Sequence, residues 1–427
     1  MALLSGEWMA ELFMYHHTGD SISTMKKIIW LALFLLFLAG TAAAQEAQDI
    51  TALSEVKASS TDRRYKTFAM ECAVDRDFRT MWKSQKERKA NLEITSDTPV
   101  YGIYLCSGME NPEPWVVEVQ DGKDWTVAAR AEGLYGHEYV AVDGLTRFRI
   151  RLETAAQKVL AINELYLLGE GDVPGWVQRW EPQVEKADLM ILAGHPDDEM
   201  LFFGGMIPTY AGEYGMKVAV CYLTCNTPGR RSELLNGLWY CGVRNYPDIG
   251  NFWDKYSLKL KTSYDVWGKT NVLSYVTGLI RKYKPEVIAT HDVNGEYGHG
   301  AHRVCADACL QCVTLAANAG KYKASAQTWG VWQPKKLYIH MYKDNPVEFN
   351  WDIPLASQNG RTGFETAVEA YKFYVSQQQP QYRVEPRDSV KSCYLFGLAF
   401  TTVGFDERKD DPFEHIDPSS LTTYQGK

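Results

Sequence analysis

Three short, almost wholly apolar runs, at residues 189–193, 218–223 and 287–290, most constrain what this chain can fold into. A strand without polar alternation is buried on both faces, so helices must cover both sides of its sheet. Helix-length patterns at 199–214, 230–241 and 272–283 alternate with the three runs. Buried strands alternating with helices indicate a parallel sheet with crossovers. Residues 185–427 therefore read as an α/β domain with a Rossmann-like, mostly parallel sheet. Ligands of such sheets gather at the carboxyl ends of the strands.

The first half follows another grammar. From 50 to 170, short alternating runs (90–94, 100–105, 115–119, 147–152, 162–167) are separated by polar turns such as Asp121-Gly122 and Asp143-Gly144. Strands this frequent, without a helical period, predict an all-β sandwich. Residues 171–184, with their Gly and Pro, read as the linker. Ahead of the sandwich, Met25-Lys26-Lys27 opens an apolar run at 28–39, and Thr41-Ala42-Ala43-Ala44 follows. A basic start, a short apolar run and small residues describe an export leader cleaved after Ala44, with residues 1–24 as an upstream extension. The run is shorter than the roughly 20 residues that span a bilayer, so no membrane span is expected in the mature chain. The mature protein is expected to be periplasmic or secreted.

Composition narrows the partners. A formal charge of −8 without a basic stripe argues against nucleic acid. The 45% hydrophobic content excludes intrinsic disorder. Trp82, Trp115 and Trp125 of the first domain either stack on sugar or fill the sandwich core. Nine cysteines, an odd number, argue against a dense disulfide framework, although Cys72 and Cys106 could pair. Cys305, Cys309 and Cys312 fall on one helical face, the pattern of a core stripe rather than of a metal cluster.

The chemistry concentrates past the strand ends. His195-Pro196-Asp197-Asp198-Glu199 follows the first buried run, and a loop from His291 to His302, containing His299, follows the third. Histidines and carboxylates on two neighbouring loops suit a borderline divalent metal with an open coordination position. Of two adjacent aspartates, one can ligate while the other faces water as a base. The alternative is that Asp197 or Asp198 merely caps the helix that follows.

These residues carry a resemblance. His195-Pro196-Asp197-Asp198-Glu199, Arg230-x-x-Glu233 and Asn294-Gly295-x-Tyr297-Gly298-His299-x-x-His302 resemble the motifs of the LmbE/PIG-L family of zinc-dependent N-acetylglucosamine deacetylases. The likeness covers 185–345, and Ser376-Gln377 with residues 396–404 extends it towards the C-terminus. It implies His195, Asp198 and His302 as ligands of Zn2+ or another divalent transition metal, and Asp197 as general base. It implies His299, with Tyr297, as the oxyanion donor, and Arg230 as a substrate contact. A salt bridge from Arg230 to Glu233 is the alternative. Asp292 and Glu296 are expected behind the ligands or at the surface, and His291 in packing or behind the ligands. Gly300-Ala301 stands where many relatives have Pro-Asp, and Tyr374 where they have His, so a carboxylate that could orient His299 is missing.

The first domain resembles a discoidin, or coagulation-factor type C, domain through residues 73–82, 117–125 and 162–165. That family is a jelly-roll sandwich whose members often bind glycans. Together the resemblances imply an exported hydrolase that removes the N-acetyl group of an N-acetylglucosamine-containing sugar or glycan by attack of metal-activated water. An amidase for another N-acyl amino sugar, and a glycan-binding protein with an inactive hydrolase domain, are the rival expectations.

Overall fold

The computed structural model describes residues 45–225 and 227–423. The leader expected at 25–44 and the extension before it lie outside the described residues. Ala47–Lys427 form one compact unit. Its first part is all β, with β1 (Ser54–Ala58), β2 (Trp82–Lys83), β3 (Glu87–Arg88), β4 (Asn91–Ser107) and β5 (Trp115–Asp121). It continues with β6 (Asp124–Ala131), β7 (His137–Leu152), β8 (Gln157–Lys158) and β9 (Ala161–Leu168). Seven of these strands form one hydrogen-bonded sheet, while β3 and β8 form a separate ribbon.

The long strands β4 and β7 pass from one layer of the sandwich to the other. Leu92 and Ile94 pair with β1 and with the end of β7, whereas Ile103 and Leu105 pair with β9 and the start of β7. The register shifts between Thr95 and Gly102, where the strand bends. The folded sheet encloses Trp82, Trp115, Ile94, Ile103, Phe148 and Leu165. Trp82 and Trp115 are thus core residues and offer no sugar platform. Trp125 is half-buried, its ring 4.3 Å from the Arg149 guanidinium carbon.

The second part contains β10 (Leu189–Ala193), α1 (Asp198–Leu201), β11 (Val218–Tyr222), α2 (Pro228–Tyr240) and β12 (Asp248–Ile249). After them come α3 (Leu260–Trp267), α4 (Lys269–Tyr283), β13 (Val287–Thr290), α5 (Gly300–Leu315) and α6 (Lys323–Trp329). The last elements are β14 (Lys336–His340), β15 (Pro346–Glu348), α7 (Gly363–Tyr371) and β16 (Leu395–Thr401). The sheet order is β12-β11-β10-β13-β14-β16-β15. Strands β12 to β14 run parallel, and β16 is antiparallel to both β14 and β15. Leu189 and Ile191 pack with α2 and α7 on one face, and Met190 and Leu192 with α4 and α5 on the other. The chain leaves β10 towards β11 and later returns to β13 on its opposite side. That reversal is the switch point at which α/β sheets hold ligands.

Two local expectations change. The helix pattern at 199–214 breaks after Leu201 and resumes as a π-helix at Pro208–Glu213. Between them the chain runs so close to its neighbours that a Cβ at Gly204 would lie 2.4 Å from Ala367 Cβ, and one at Gly205 2.2 Å from Trp351. The stretch expected as a linker is packed, with Val177, Gln178 and Trp180 buried. All nine cysteines are free, Cys72 and Cys106 among them, and Cys305, Cys309 and Cys312 are buried on α5. Among the described residues no helix is long and apolar enough to cross a membrane.

Polar contacts tie the two parts together. Arg231 of α2 donates to the carbonyl oxygens of Glu110 (2.6 Å) and Met109 in the sandwich. His137 Nδ1, at the start of β7, lies 2.8 Å from Gln178 Oε1 and 2.9 Å from the Tyr104 hydroxyl. Burial pushes the His137 imidazole down to about 3 from 6.5. Between pH 6.5 and 3 the unfolded chain therefore binds a proton that the folded one refuses, and stability is lost as pH falls through that window. Guanidinium unfolding midpoints should drop more steeply between pH 7 and pH 4 in the wild type than in His137→Gln. Parallel slopes would show that this histidine does not set the acid sensitivity.

Candidate active site

Three parallel strands deliver histidines to one edge of the sheet. His195 lies just past β10, His291 follows β13 directly, and His340 is the last residue of β14. Gly194 permits the approach, since a Cβ there would stand 3.1 Å from Asp198 Oδ2 and 3.3 Å from His302 Cδ2. The loop after β13 carries Glu296, Tyr297 and His299 and leads into α5, whose first turn holds His302.

Glu296 organises the cluster from behind. Its carboxylate is fully buried and faces His291 Nδ1 at 2.9 Å, His302 Nδ1 at 2.6 Å and His340 Nδ1 at 3.0 Å. Burial alone would raise this carboxyl, but His291 and His302 hold it well below the usual range. A ring that donates from Nδ1 keeps its Nε2 lone pair. In His291 that lone pair accepts the Gly194 backbone N–H at 3.0 Å, so both nitrogens are occupied. His302 Nε2 has no hydrogen-bond partner, and it stands 3.2 Å from Asp198 Oδ1. A buried lone pair set against a carboxylate is the arrangement a cation satisfies. Two overlapping groups could hold an ion, His195 with His299 and His302, or Asp198 with His291 and His302. In the second, His291 Nε2 is shared between the Gly194 N–H and Asp198 Oδ2, 3.3 Å away.

Asp197 and Asp198 point apart. Asp198 Oδ2 accepts the His195 backbone N–H at 2.7 Å and lies 3.2 Å from His195 Nδ1. Burial opposes its charge, yet His302 and His291 hold it well below the ordinary carboxylate range. Asp197 sits at the N-cap position with φ 114° and makes no side-chain capping bond. A non-glycine residue at that angle is strained and needs surrounding structure to hold it. Glu199 Oε2 accepts the Asp197 backbone N–H at 2.9 Å, and Glu199 Oε1 in turn accepts from the Tyr374 hydroxyl. Burial, then the neighbouring Asp198 charge, push the Asp197 carboxyl up, while Arg230 and His195 pull it back towards the charged form.

Asp197 opens on a cavity of about 330 Å³ lined also by His195, Arg230, Asp254, Tyr256, Tyr297, His299, Gln377 and Tyr382. Arg230 comes from the first turn of α2, where the Thr227 hydroxyl accepts its backbone N–H. Its guanidinium donates to Asp197 Oδ1 at 3.1 Å and also lies 3.9 Å from Glu233. Burial, then the like charges of His195 and His302, push His299 down to about 3, so it is neutral at ordinary pH. Burial works against the charge of His195 too, but Asp198 and Asp254 raise it to about 9.

All seven residues singled out in the sequence (His195, Asp197, Asp198, Arg230, Tyr297, His299 and His302) converge here. Glu296 stands behind the ligands, the first of the two places expected for it, and His340 and Asp254 join the site without having been singled out. His340 ends an apolar strand, a signal that was available; Asp254 is set in an irregular loop and carried none. That loop also accounts for Gly300. The Gly300 N–H donates to Ser257 O at 2.6 Å, and a Cβ there would lie 2.4 Å from Ser263 Oγ. Proline at 300 would lose that bond, and the same loop brings Asp254 Oδ1 within 3.4 Å of His195 Nε2.

Residues 190–313 match the family model PIG-L, described as GlcNAc-PI de-N-acetylase. The α/β domain is a PIG-L/LmbE domain. It is similar to a 1D-myo-inositol 2-acetamido-2-deoxy-alpha-D-glucopyranoside deacetylase of Rhodococcus erythropolis, 26% identical over 174 residues, 33% of this chain and 57% of that protein. A protein of the same description from Mycobacteroides abscessus is 27% identical over 188 residues, 38% of this chain and 62% of that one. The chain thus spans somewhat more than half the length of these relatives. Among solved structures, the F5/8 type C domain of a Bacteroides fragilis protein is 17% identical, covering 30% of this chain and 99% of its own, with TM-score 0.25. CBM32-3 of a family 31 glycoside hydrolase from Clostridium perfringens is 21% identical, covering 29% and 95%, with TM-score 0.24.

Groups that orient metal-site histidines typically change affinity by about 10–100-fold when removed. Glu296→Gln is expected to weaken zinc binding by about that factor, read by competition with a chelator, while the far-UV circular dichroism stays the same. Unaltered affinity would show that Glu296 only fills space.

Proposed function

We propose that this protein is an exported, divalent-metal-dependent hydrolase that removes the N-acetyl group from an N-acetylglucosamine-type sugar. One observation carries the reading: the unsatisfied His302 Nε2 faces Asp198, beside a carboxylate and a neutral imidazole that share one cavity. His195, Asp198 and His302 would hold the ion, a set of two nitrogen donors and one carboxylate that suits Zn2+. When bound, the ion would supply Lewis acidity, which acidifies water and polarises the acyl oxygen.

The remaining roles follow from the residues themselves. Asp197 takes the proton of the attacking water and returns it to the leaving amine, as a base must for the amide to break. Arg230 and the Glu199 bond hold Asp197 in its strained conformation, aimed into the cavity. His299, neutral at working pH, donates an N–H to the oxyanion that develops on the acyl oxygen. Tyr297 borders the same space and serves as a second donor. Export is supported by the leader-like sequence at 25–44, and the appended sandwich is read as a module that keeps the enzyme near glycan.

Acetate release from N-acetylglucosamine oligomers tests the reading. Zinc-loaded protein should release acetate, chelator should abolish the release, and Asp197→Asn should lower kcat by about 10²–10⁴-fold. Metal-loaded protein that frees no acetate from any N-acetylated sugar would overturn the deacetylase. Retained zinc binding in Asp197→Asn, measured alongside, separates loss of the base from loss of the site.

A further inference from the structure

A second cavity, of about 340 Å³, lies between the sandwich and the α/β domain. Its walls are aromatic and come from three parts of the chain: Tyr104 and Tyr166 from the sandwich, Trp176 from the connecting segment, and Trp239, Tyr240 and Phe373 from the α/β domain. The Trp176 ring centroid is 5.0 Å from that of Tyr166 and 5.9 Å from that of Tyr104, yet the residue is 45% exposed. Phe373 is 37% exposed. No carboxylate lines the cavity.

Its polar groups have a fixed sense. The Trp180 indole can only donate, so Gln178 must present its carbonyl oxygen to it, at 2.8 Å. The Gln178 amide nitrogen then donates to Asn236 Oδ1 at 2.6 Å. Asn236 is thereby oriented, and its NH2 group is left to donate. Arg244 lies flat on Trp239, 4.0 Å from the ring centre, and spends Nη1 on the carbonyls of Trp239 and Val243. Glu181 acts on its charge from a distance, but among the described residues no carboxylate forms an ion pair with it. The cavity therefore combines flat apolar faces with N–H donors and lacks carboxylate acceptors. A matching ligand has an apolar face and a rim of acceptors, as a pyranose has with its C–H face and its hydroxyl or acetamido oxygens.

We infer that this cavity is a sugar-binding subsite, distinct from the metal cavity, that holds a pyranose ring of an oligosaccharide. Trp176 and Phe373 stack on the ring, and Asn236 and Arg244 donate to its oxygens. Helix α2 relates the two cavities. Arg230 lines the first, and Asn236, Trp239 and Tyr240 line the second, six to ten residues further on. At about 1.5 Å per residue they lie roughly 9–15 Å along the helix axis, a reach of a few linked sugars. The choice of sugar as ligand rests in part on the deacetylase reading; the shape and donors of the cavity do not.

Calorimetric titration of the whole protein with the N-acetylglucosamine tetramer tests the inference. The tetramer should bind, and Trp176→Ala, Phe373→Ala and Arg244→Ala should each weaken it by about tenfold, as loss of a stacking face or a donor does. Acetate release from monomeric N-acetylglucosamine should be unchanged in all three, and their thermal transitions should show that the fold is intact. Affinity unaffected in all three, or no binding to the wild type, overturns the subsite. Binding that depends on these residues without any acetate release overturns the deacetylase alone. Acetate release with binding indifferent to them overturns the subsite alone.

Discussion

The carboxylate of Glu296, at 0% side-chain exposure, holds three imidazoles from three different segments at once. A charge so far from water is tolerated only where hydrogen bonds and opposite charge surround it, so its partners must stay in place. His291 follows β13, His302 lies on α5 and His340 ends β14. The bond each makes through Nδ1 fixes its ring orientation. His291 is directed at the backbone of Gly194 and His302 at Asp198.

In front of that cluster the two aspartates diverge because the backbone between them is forced. Asp197 takes a positive φ that costs about 1–3 kcal/mol and survives only under external restraint. Glu199, Tyr374 and Arg230 provide it. Tyr374 belongs to the chain of hydrogen bonds that positions Asp197. The strain sets the Asp197 carboxyl facing the cavity while Asp198 turns inward to the histidines.

The sandwich bears on the α/β domain because the two halves are joined by more than a tether. Arg231, Gln178 and His137 make polar contacts across the boundary, and the connecting segment is part of the core. Helix α2 takes part in both cavities, with Arg230 at one end and Trp239 near the other. The two cavities thus lie along a single rigid element.

Much was legible in the sequence. Continuous apolar runs at β10, β11 and β13 required a parallel sheet, since only helices on both faces could bury them. The placing of His195 and His302 beside strand ends put the candidate chemistry on one edge. Trp82 was ambiguous, because an aromatic suits a core and a sugar equally well. The broken helix after Leu201 was not readable, since the contacts of Gly204 and Gly205 with Ala367 and Trp351 involve residues distant in the chain. Asp254 lay beyond reach for the same reason, and Glu296 could be placed only as behind the ligands or at the surface: a carboxylate carries no sign of its partners until the loops close around it. Residue type and period determined the layers, the strand ends and the identity of the reactive groups. Tertiary structure alone decided tautomers, strain and the second cavity, because each depends on distances between segments that no local pattern encodes.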